Sequence, residues 1–316
     1  MTFSKTKVLL STQMGLFKNI KSAWRLSKYL KQLEAFDYQA LYKKLGFENQ
    51  ENQYLLKTKQ FNRGRQYVKS FGLIGLSFEK LIGRRLSSKE LERIVLLSHL
   101  APVYDDLFDK LNTPKERIIL LLESTSTKPE NDEESLFLQF YRPLFGEMSE
   151  KESFLSFFLK LTEAQENSKK QVLETTTGEE ILKITEEKGG YSALVLFSLL
   201  DVKQKNETAL YQLGACCQYM DDIFDWYDDS VENRKTIANT LSLPELKSFY
   251  DKQLRQTVGS FQSPFSDLVE TLLTPGNICL DFYRRNGVHL TEQPTERIIC
   301  DMESAESIKK LLFNLR

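Results

Sequence analysis

Glycine and proline are scarce in this chain, 14 and 8 of 316 residues, about 7% together where roughly 12% is usual. That shortage disfavours turn-rich all-β folds and the glycine-heavy phosphate loops of α/β nucleotide enzymes. Histidine is scarcer still: His99 and His289 are too few for a histidine-rich metal site. The four cysteines (Cys216, Cys217, Cys279 and Cys300) show no C-x-x-C spacing, and two are adjacent. They read as reduced, buried thiols of an intracellular protein, not as a disulfide frame or a zinc site. No apolar run approaches the ~20 residues needed to cross a bilayer. Net charge is lacking as well. Lys plus Arg number 43 against 44 Asp plus Glu, so no global basic field draws the chain to nucleic acid. What is present is 41% hydrophobic and 28% charged residues, the composition of a folded chain with a substantial core.

Helix start signals recur along the chain. Ser87-x-x-Glu90, Thr113-Pro114-x-Glu116, Ser149-x-x-Glu152, Thr177-Gly178-x-Glu180 and Ser242-x-Pro244-Glu245 each place a hydroxyl three residues before a carboxylate. Such a pair satisfies free amides at a helix N-terminus, and each is followed by helical apolar periodicity. With no sustained alternation and no hairpin dipeptide, the reading is all-α: about ten helices, the long ones near 61–80, 88–110, 150–175, 179–201 and 206–229. Loops are expected at 46–53, 124–134, 202–206 and 291–296. None shifts composition enough to separate two folding units.

Residues 1–45 stand apart as a basic helical extension, leaving 46–316 as the main domain. Lys5, Lys7, Lys18, Lys21, Arg25, Lys28, Lys31, Lys43 and Lys44 face only Glu34 and Asp37 there. Lys18, Lys21, Arg25 and Lys28 share a helical face near Leu16, Ile20, Trp24 and Leu26. Two readings compete: a helix resting on anionic lipid, or one packed on the domain with its lysines in water.

Two short acidic segments carry the chemistry: Tyr104-Asp105-Asp106-Leu107-Phe108-Asp109, and Gln218-Tyr219-Met220-Asp221-Asp222-Ile223-Phe224-Asp225, continued by Asp228-Asp229. Helical rise puts Asp105 and Asp109 about 6 Å apart on one face, as it does Asp221 with Asp225 and Asp225 with Asp229. Carboxylates at that spacing repel, and the negative end of the helix dipole adds to the cost. Carboxylate-only clusters without His or Cys suit Mg²⁺, or Mn²⁺. Because Mg²⁺ is usually shared with substrate phosphate, two such clusters suggest a diphosphate clamped between helices. A di-iron bundle would need Glu-x-x-His pairs, which are absent.

On these residues the chain resembles the class I isoprenoid synthase superfamily. Asp105–Asp109 is similar to the first aspartate motif of trans-prenyl diphosphate synthases, and Gln218–Asp225 to their second. Ile184-Thr185-Glu186-Glu187-Lys188-Gly189-Gly190 is similar to their Lys-Thr segment, with Gly189 in place of the threonine. The resemblance implies a single-domain helical bundle around a deep apolar cavity, with three Mg²⁺ and an allylic prenyl diphosphate at its mouth. It further implies Asp105, Asp109, Asp221 and Asp225 as metal ligands, with Asp229 added by its spacing. Asp106, Asp222 and Lys188 complete the expected catalytic set. Substrate contacts are expected from Gln218, Arg63, Arg65, Arg234 and Arg284, with Lys235 and Arg285 as further cations. Leu100 and Ala101 are expected at the floor of the prenyl pocket, and Tyr104 at its wall.

Within the superfamily a one-substrate terpene synthase is the first reading, because the arginine pair that follows the first motif in chain-elongating enzymes is missing. Two-substrate transferases, including the squalene and phytoene synthase type, come next. The reading outside enzymes is a helical scaffold protein that has lost catalysis. Expected partners are the prenyl diphosphate, a membrane surface met through the basic N-terminus, and a second copy in a homodimer. The expected compartment is the cytoplasm.

Overall fold

The computed structural model describes residues 21–49, 53–124, 126–202 and 206–294. Every regular element among them is helical. After α1, described over 21–34, come α2 (Tyr38–Lys44), α3 (Lys59–Ile82), α4 (Ser88–Asp109), α5 (Lys115–Glu123), α6 (Asp132–Gly146) and α7 (Lys151–Ser168). The chain continues through α8 (Gly178–Ser198), α9 (Glu207–Phe224), α10 (Trp226–Val231), α11 (Ile237–Thr240), α12 (Leu243–Gly259) and α13 (Phe265–Arg285). The helical expectation holds, and no described helix is long and apolar enough to cross a membrane.

Three of the five start signals form capping boxes: Ser87 with Glu90, Thr177 with Glu180 and Ser242 with Glu245. The other two do not. Pro114 takes the cap position of α5, and the Ser149 hydroxyl leaves its own helix to donate to Asp201 at 2.8 Å. Two helices are shorter than the periodicity suggests. α7 gives way to a 3₁₀ turn at Lys169–Val172, and the expected 206–229 helix breaks at Asp225, which ends α9 and begins α10.

α8 packs most extensively on α9, α3 on α4, and α7 on α8, with α12 and α13 closing over α9. Leu26, Tyr29, Leu30, Leu33, Leu41 and Phe47 enter the same apolar core as the later helices. Leu33 lies against Gly72 of α3, so near that any side chain at 72 would displace it. Of the proposed basic face, Lys21 and Lys28 are exposed, and Trp24 lies under the Lys28 ammonium at 3.6 Å. Lys18, Leu16 and Ile20 lie outside the described residues. His99 sits between Phe61 and Phe140, with its Nε2 3.1 Å from the Tyr42 hydroxyl; burial pushes the imidazole down to about 3. It is a neutral core residue, and Gly64 leaves room for its ring.

Candidate functional site

The first motif occupies the last two turns of α4. From Arg93 to Phe108 this helix is buried except at Ala101 and Asp105, and exposed Asp109 follows them at the same four-residue interval. The accessible strip is therefore a single face, recessed at Ala101 and open at Asp109. Asp106 points elsewhere. Its two oxygens accept from Arg63 Nη1 at 2.5 Å and Lys110 Nζ at 2.9 Å, so it is already neutralised and ties α3 to α4. This is where the structure places a residue expected in the catalytic set.

The second motif closes α9. Gln218 donates to Asp221 at 2.9 Å and, more weakly, to Asp222 at 3.4 Å. Asp222 is buried and also accepts from the Thr185 hydroxyl (3.3 Å) and the Ile237 amide (3.4 Å). It joins α8, α9 and the start of α11. At the break after α9, the Asp225 carbonyl accepts the Asp229 amide at 2.9 Å. Arg234 lies 3.6 Å from the Asp229 carboxylate and 3.4 Å from Glu232.

Carboxylates of both motifs feel the charge of Lys188 of α8. Burial pushes the Asp105 carboxyl up to about 7; Lys188 and Arg63 pull it down, while Asp109 and Asp106 push it further up. Asp221 is raised by the same burial and lowered by Lys188 and Gln218. Asp222 is pushed to about 6 and Asp229 to about 8, again by burial first, then by neighbouring aspartates, with Lys188 opposing both. One ammonium is thus felt at four carboxylates from both motifs. The Tyr67 hydroxyl makes a second link: after burial, the charges that raise it most are Asp105 and Asp221. Asp105 and Asp221 keep solvent access and yet are desolvated, the combination that a recess produces and an outer surface does not.

Lys188 reaches this position because α8 and α9 touch backbone to backbone one residue later. A Cβ at Gly189 would collide with the Gly214 carbonyl and stand 2.7 Å from the Gln218 Cβ; one at Gly214 would collide with Gly189 in return. Gly189 is therefore a packing requirement here.

Other expected contacts fall elsewhere. Leu100 and Tyr104 are core residues, Tyr104 donating to the Thr162 hydroxyl at 3.0 Å between Phe108 and Phe158. Arg65 lies toward Tyr38, Tyr42 and His99, away from Arg63. Arg284 pairs with Asp281 at 3.2 Å beside a cleft of about 500 Å³ between α12 and α13. A second cleft, about 470 Å³, lies between α8 and α9 beside Tyr191, Tyr211 and Tyr219. Neither cleft is bordered by a motif aspartate. Lys235 donates to the Glu174 carbonyl at 2.6 Å.

Tyr67 and Gly214 were not among the residues expected at the site, and Thr185 was quoted only as part of the 184–190 segment. Tyr67 carried a usable signal: it follows Arg63 by four residues, and the two share a face of α3.

Among the described residues, no three His, Cys, Asp or Glu side chains form a ready-made metal cage. The donor set nevertheless fits a hard divalent cation. It is all carboxylate oxygen, held in excess over the one central ammonium, and Mg²⁺ completes its shell from water and phosphate. No family model matches the chain, and no curated protein is significantly similar to it.

Proposed function

We propose that this chain is a Mg²⁺-dependent class I isoprenoid synthase that ionises an allylic prenyl diphosphate. The observation that carries the proposal is the meeting of two aspartate motifs, from α4 and α9, around Lys188 with too little positive charge to balance them. Mg²⁺, or Mn²⁺ in its place, would be held by Asp105 and Asp109 on one side and Asp221, Asp225 and Asp229 on the other. The resemblance sets the expected number at three, and when bound they would neutralise a departing diphosphate.

The chain's own residues do the rest. Lys188 supplies fixed positive charge where negative charge develops, at no cost of reorganisation. Gln218 holds Asp221, Asp222 anchors α9 to α8, and Arg63 holds Asp106 between α3 and α4. Arg234, beside Asp229, adds a cation at the mouth. The strip running inward from Asp109 through Asp105 to Ala101 is where the hydrocarbon chain would lie, shielded from water while cationic.

The one-substrate reading is favoured over a chain-elongating one. Arg63 is committed to Asp106 and Arg65 faces another part of the molecule, so the two do not build a second diphosphate site. The test is incubation with ten-, fifteen- and twenty-carbon allylic diphosphates, with and without isopentenyl diphosphate. Diphosphate release and product masses are the readouts. Metal-dependent release with no elongated product is expected. Elongation would favour a transferase, and no release from any substrate would favour the scaffold protein.

A further inference from the structure

The turn after α7 inverts the usual order of burial. In the 3₁₀ turn Lys169–Val172 the polar Gln171 is buried, while Val172 and Leu173 beside it stand 56% and 50% exposed. Burying an amide and exposing two aliphatics is locally unfavourable, so the compensation lies in what the amide binds. It binds the backbone of Lys235. Gln171 Nε2 donates to the Lys235 carbonyl and the Lys235 amide donates to the Gln171 carbonyl, both at 2.9 Å. Two bonds in opposite directions fix the orientation of that residue as well as its distance. Lys235 Nζ adds a bond to the Glu174 carbonyl at 2.6 Å.

A second irregularity lies just ahead of this clamp. Asn233 has a φ of 56°, in the left-handed region that few residues other than glycine adopt, and it turns the chain immediately before Arg234. From there the backbone of two consecutive residues is fully engaged. The Arg234 amide donates to the Asp229 carbonyl at 2.8 Å, and the Arg234 carbonyl accepts from Asn239 Nδ2 at 2.7 Å. Lys235 is held by Gln171 through both its amide and its carbonyl. The guanidinium of Arg234 comes to lie 3.6 Å from the Asp229 carboxylate and 3.4 Å from that of Glu232.

We infer that Gln171 is a positioning residue: by clamping Lys235 it aims the Arg234 guanidinium at Asp229, within reach of a diphosphate held there. Two departures from regular structure, the inverted turn and the left-handed Asn233, meet at one arginine beside the second motif. Without the clamp, Arg234 could turn to the exposed Glu232 instead, and its charge would leave the mouth of the site. The role at a diphosphate rests on the proposed function; the clamp on Arg234 does not.

The test uses the full chain, Gln171→Met, Arg234→Ala and the double variant. Gln171→Met keeps the length of the side chain and removes its donor. In chelator, amide hydrogen exchange across 229–239 should rise about tenfold or more in Gln171→Met, with exchange in the other helices unchanged. In Mg²⁺, the affinity for inorganic diphosphate should fall about tenfold in Gln171→Met and at least as far in Arg234→Ala. The double variant should bind no more weakly than Arg234→Ala alone, because Gln171 acts through that residue. A merely structural role would instead give losses that add. Additive losses, unchanged exchange, or full diphosphate binding by Gln171→Met beside weak binding by Arg234→Ala would each overturn the inference. A parent chain that binds no diphosphate would overturn the proposed function and the diphosphate role together, and unchanged exchange would overturn the clamp alone.

Discussion

The two ends of α4 treat carboxylates in opposite ways. At its start, Glu90 is buried and fully served: Arg84 donates to both its oxygens at 2.7 and 2.8 Å, and the Ser87 and Asp201 amides add two more bonds. These hold it down at about 2, against the opposing effect of burial. One turn on, Arg93 forms a two-pronged pair with Asp201 at 3.0 and 2.7 Å. At the other end, Asp105 is desolvated with no hydrogen-bonded cation of its own, and it is pushed up to about 7. One helix thus carries a finished electrostatic structure and an unfinished one. The proposed Mg²⁺ would supply, at the second end, the pairing that Arg84 and Arg93 supply at the first.

The largest expected effect separates the two ends by function. Asp105→Asn or Asp225→Asn should lower diphosphate release by about a hundredfold or more, with thermal stability equal or higher because a repelling charge is gone. Arg93→Leu should do the reverse. It should cost about 1 kcal/mol of stability, because the Asp201 carboxylate is nearly half exposed, and leave turnover per folded molecule within about twofold. Denaturant titration beside a turnover assay reads both. Equal stability losses in all three variants would erase the contrast.

Next in size is the α8–α9 contact. Gly189→Ala should cost about 2–4 kcal/mol, because backbone meets backbone there and neither helix can yield locally. Chemical denaturation measures it, and an unchanged midpoint would mean that Lys188 is not positioned by this contact.

The pH dependence should also differ between the ends. Asp105, Asp222 and Asp229 have folded values of about 7, 6 and 8, above the ordinary carboxylate value. Between that value and about 8 the folded state binds more protons, so metal-free stability should fall as pH rises through this window. Glu90, held at about 2, contributes stability that is present above its ordinary value and is lost as pH falls toward 2. In chelator the melting temperature should therefore be higher at pH 5.5 than at pH 8.5, and Mg²⁺ should raise it more at pH 8.5. Asp105→Asn should lessen the first slope, and Glu90→Gln should lessen the loss in acid.

The smallest effect probes the recessed end of the accessible strip. Ala101→Phe should cost about 1–3 kcal/mol by overpacking. It should also reduce turnover of a twenty-carbon diphosphate well below that of a ten-carbon one. Equal losses on both would mean that Ala101 packs core and lines no chain-binding strip.

Much of this was legible in the sequence because it is local. The capping boxes at Ser87, Thr177 and Ser242, and the shared face of Asp105 and Asp109, follow from spacing along one helix. The same geometry turns Asp106 about 100° away from Asp105, and its burial against Arg63 follows from where α3 packs, which spacing does not encode. Arg63 and Arg65 are two residues apart, nearly opposite each other around a helix, so their separation could have been read and was not. The break at Asp225, the departure of Ser149 to Asp201 and the Gly189–Gly214 contact depend on partners far along the chain. No pattern within either segment announces them.

Two motifs 116 residues apart are proposed to form one divalent-cation site for a diphosphate. Titration calorimetry with inorganic diphosphate tests it without reference to any particular substrate. Binding is expected in Mg²⁺ and not in chelator, and it should be lost alike in Asp105→Asn and in Asp221→Asn. Binding that persists in chelator, or that is lost in only one of the two variants, would contradict the account.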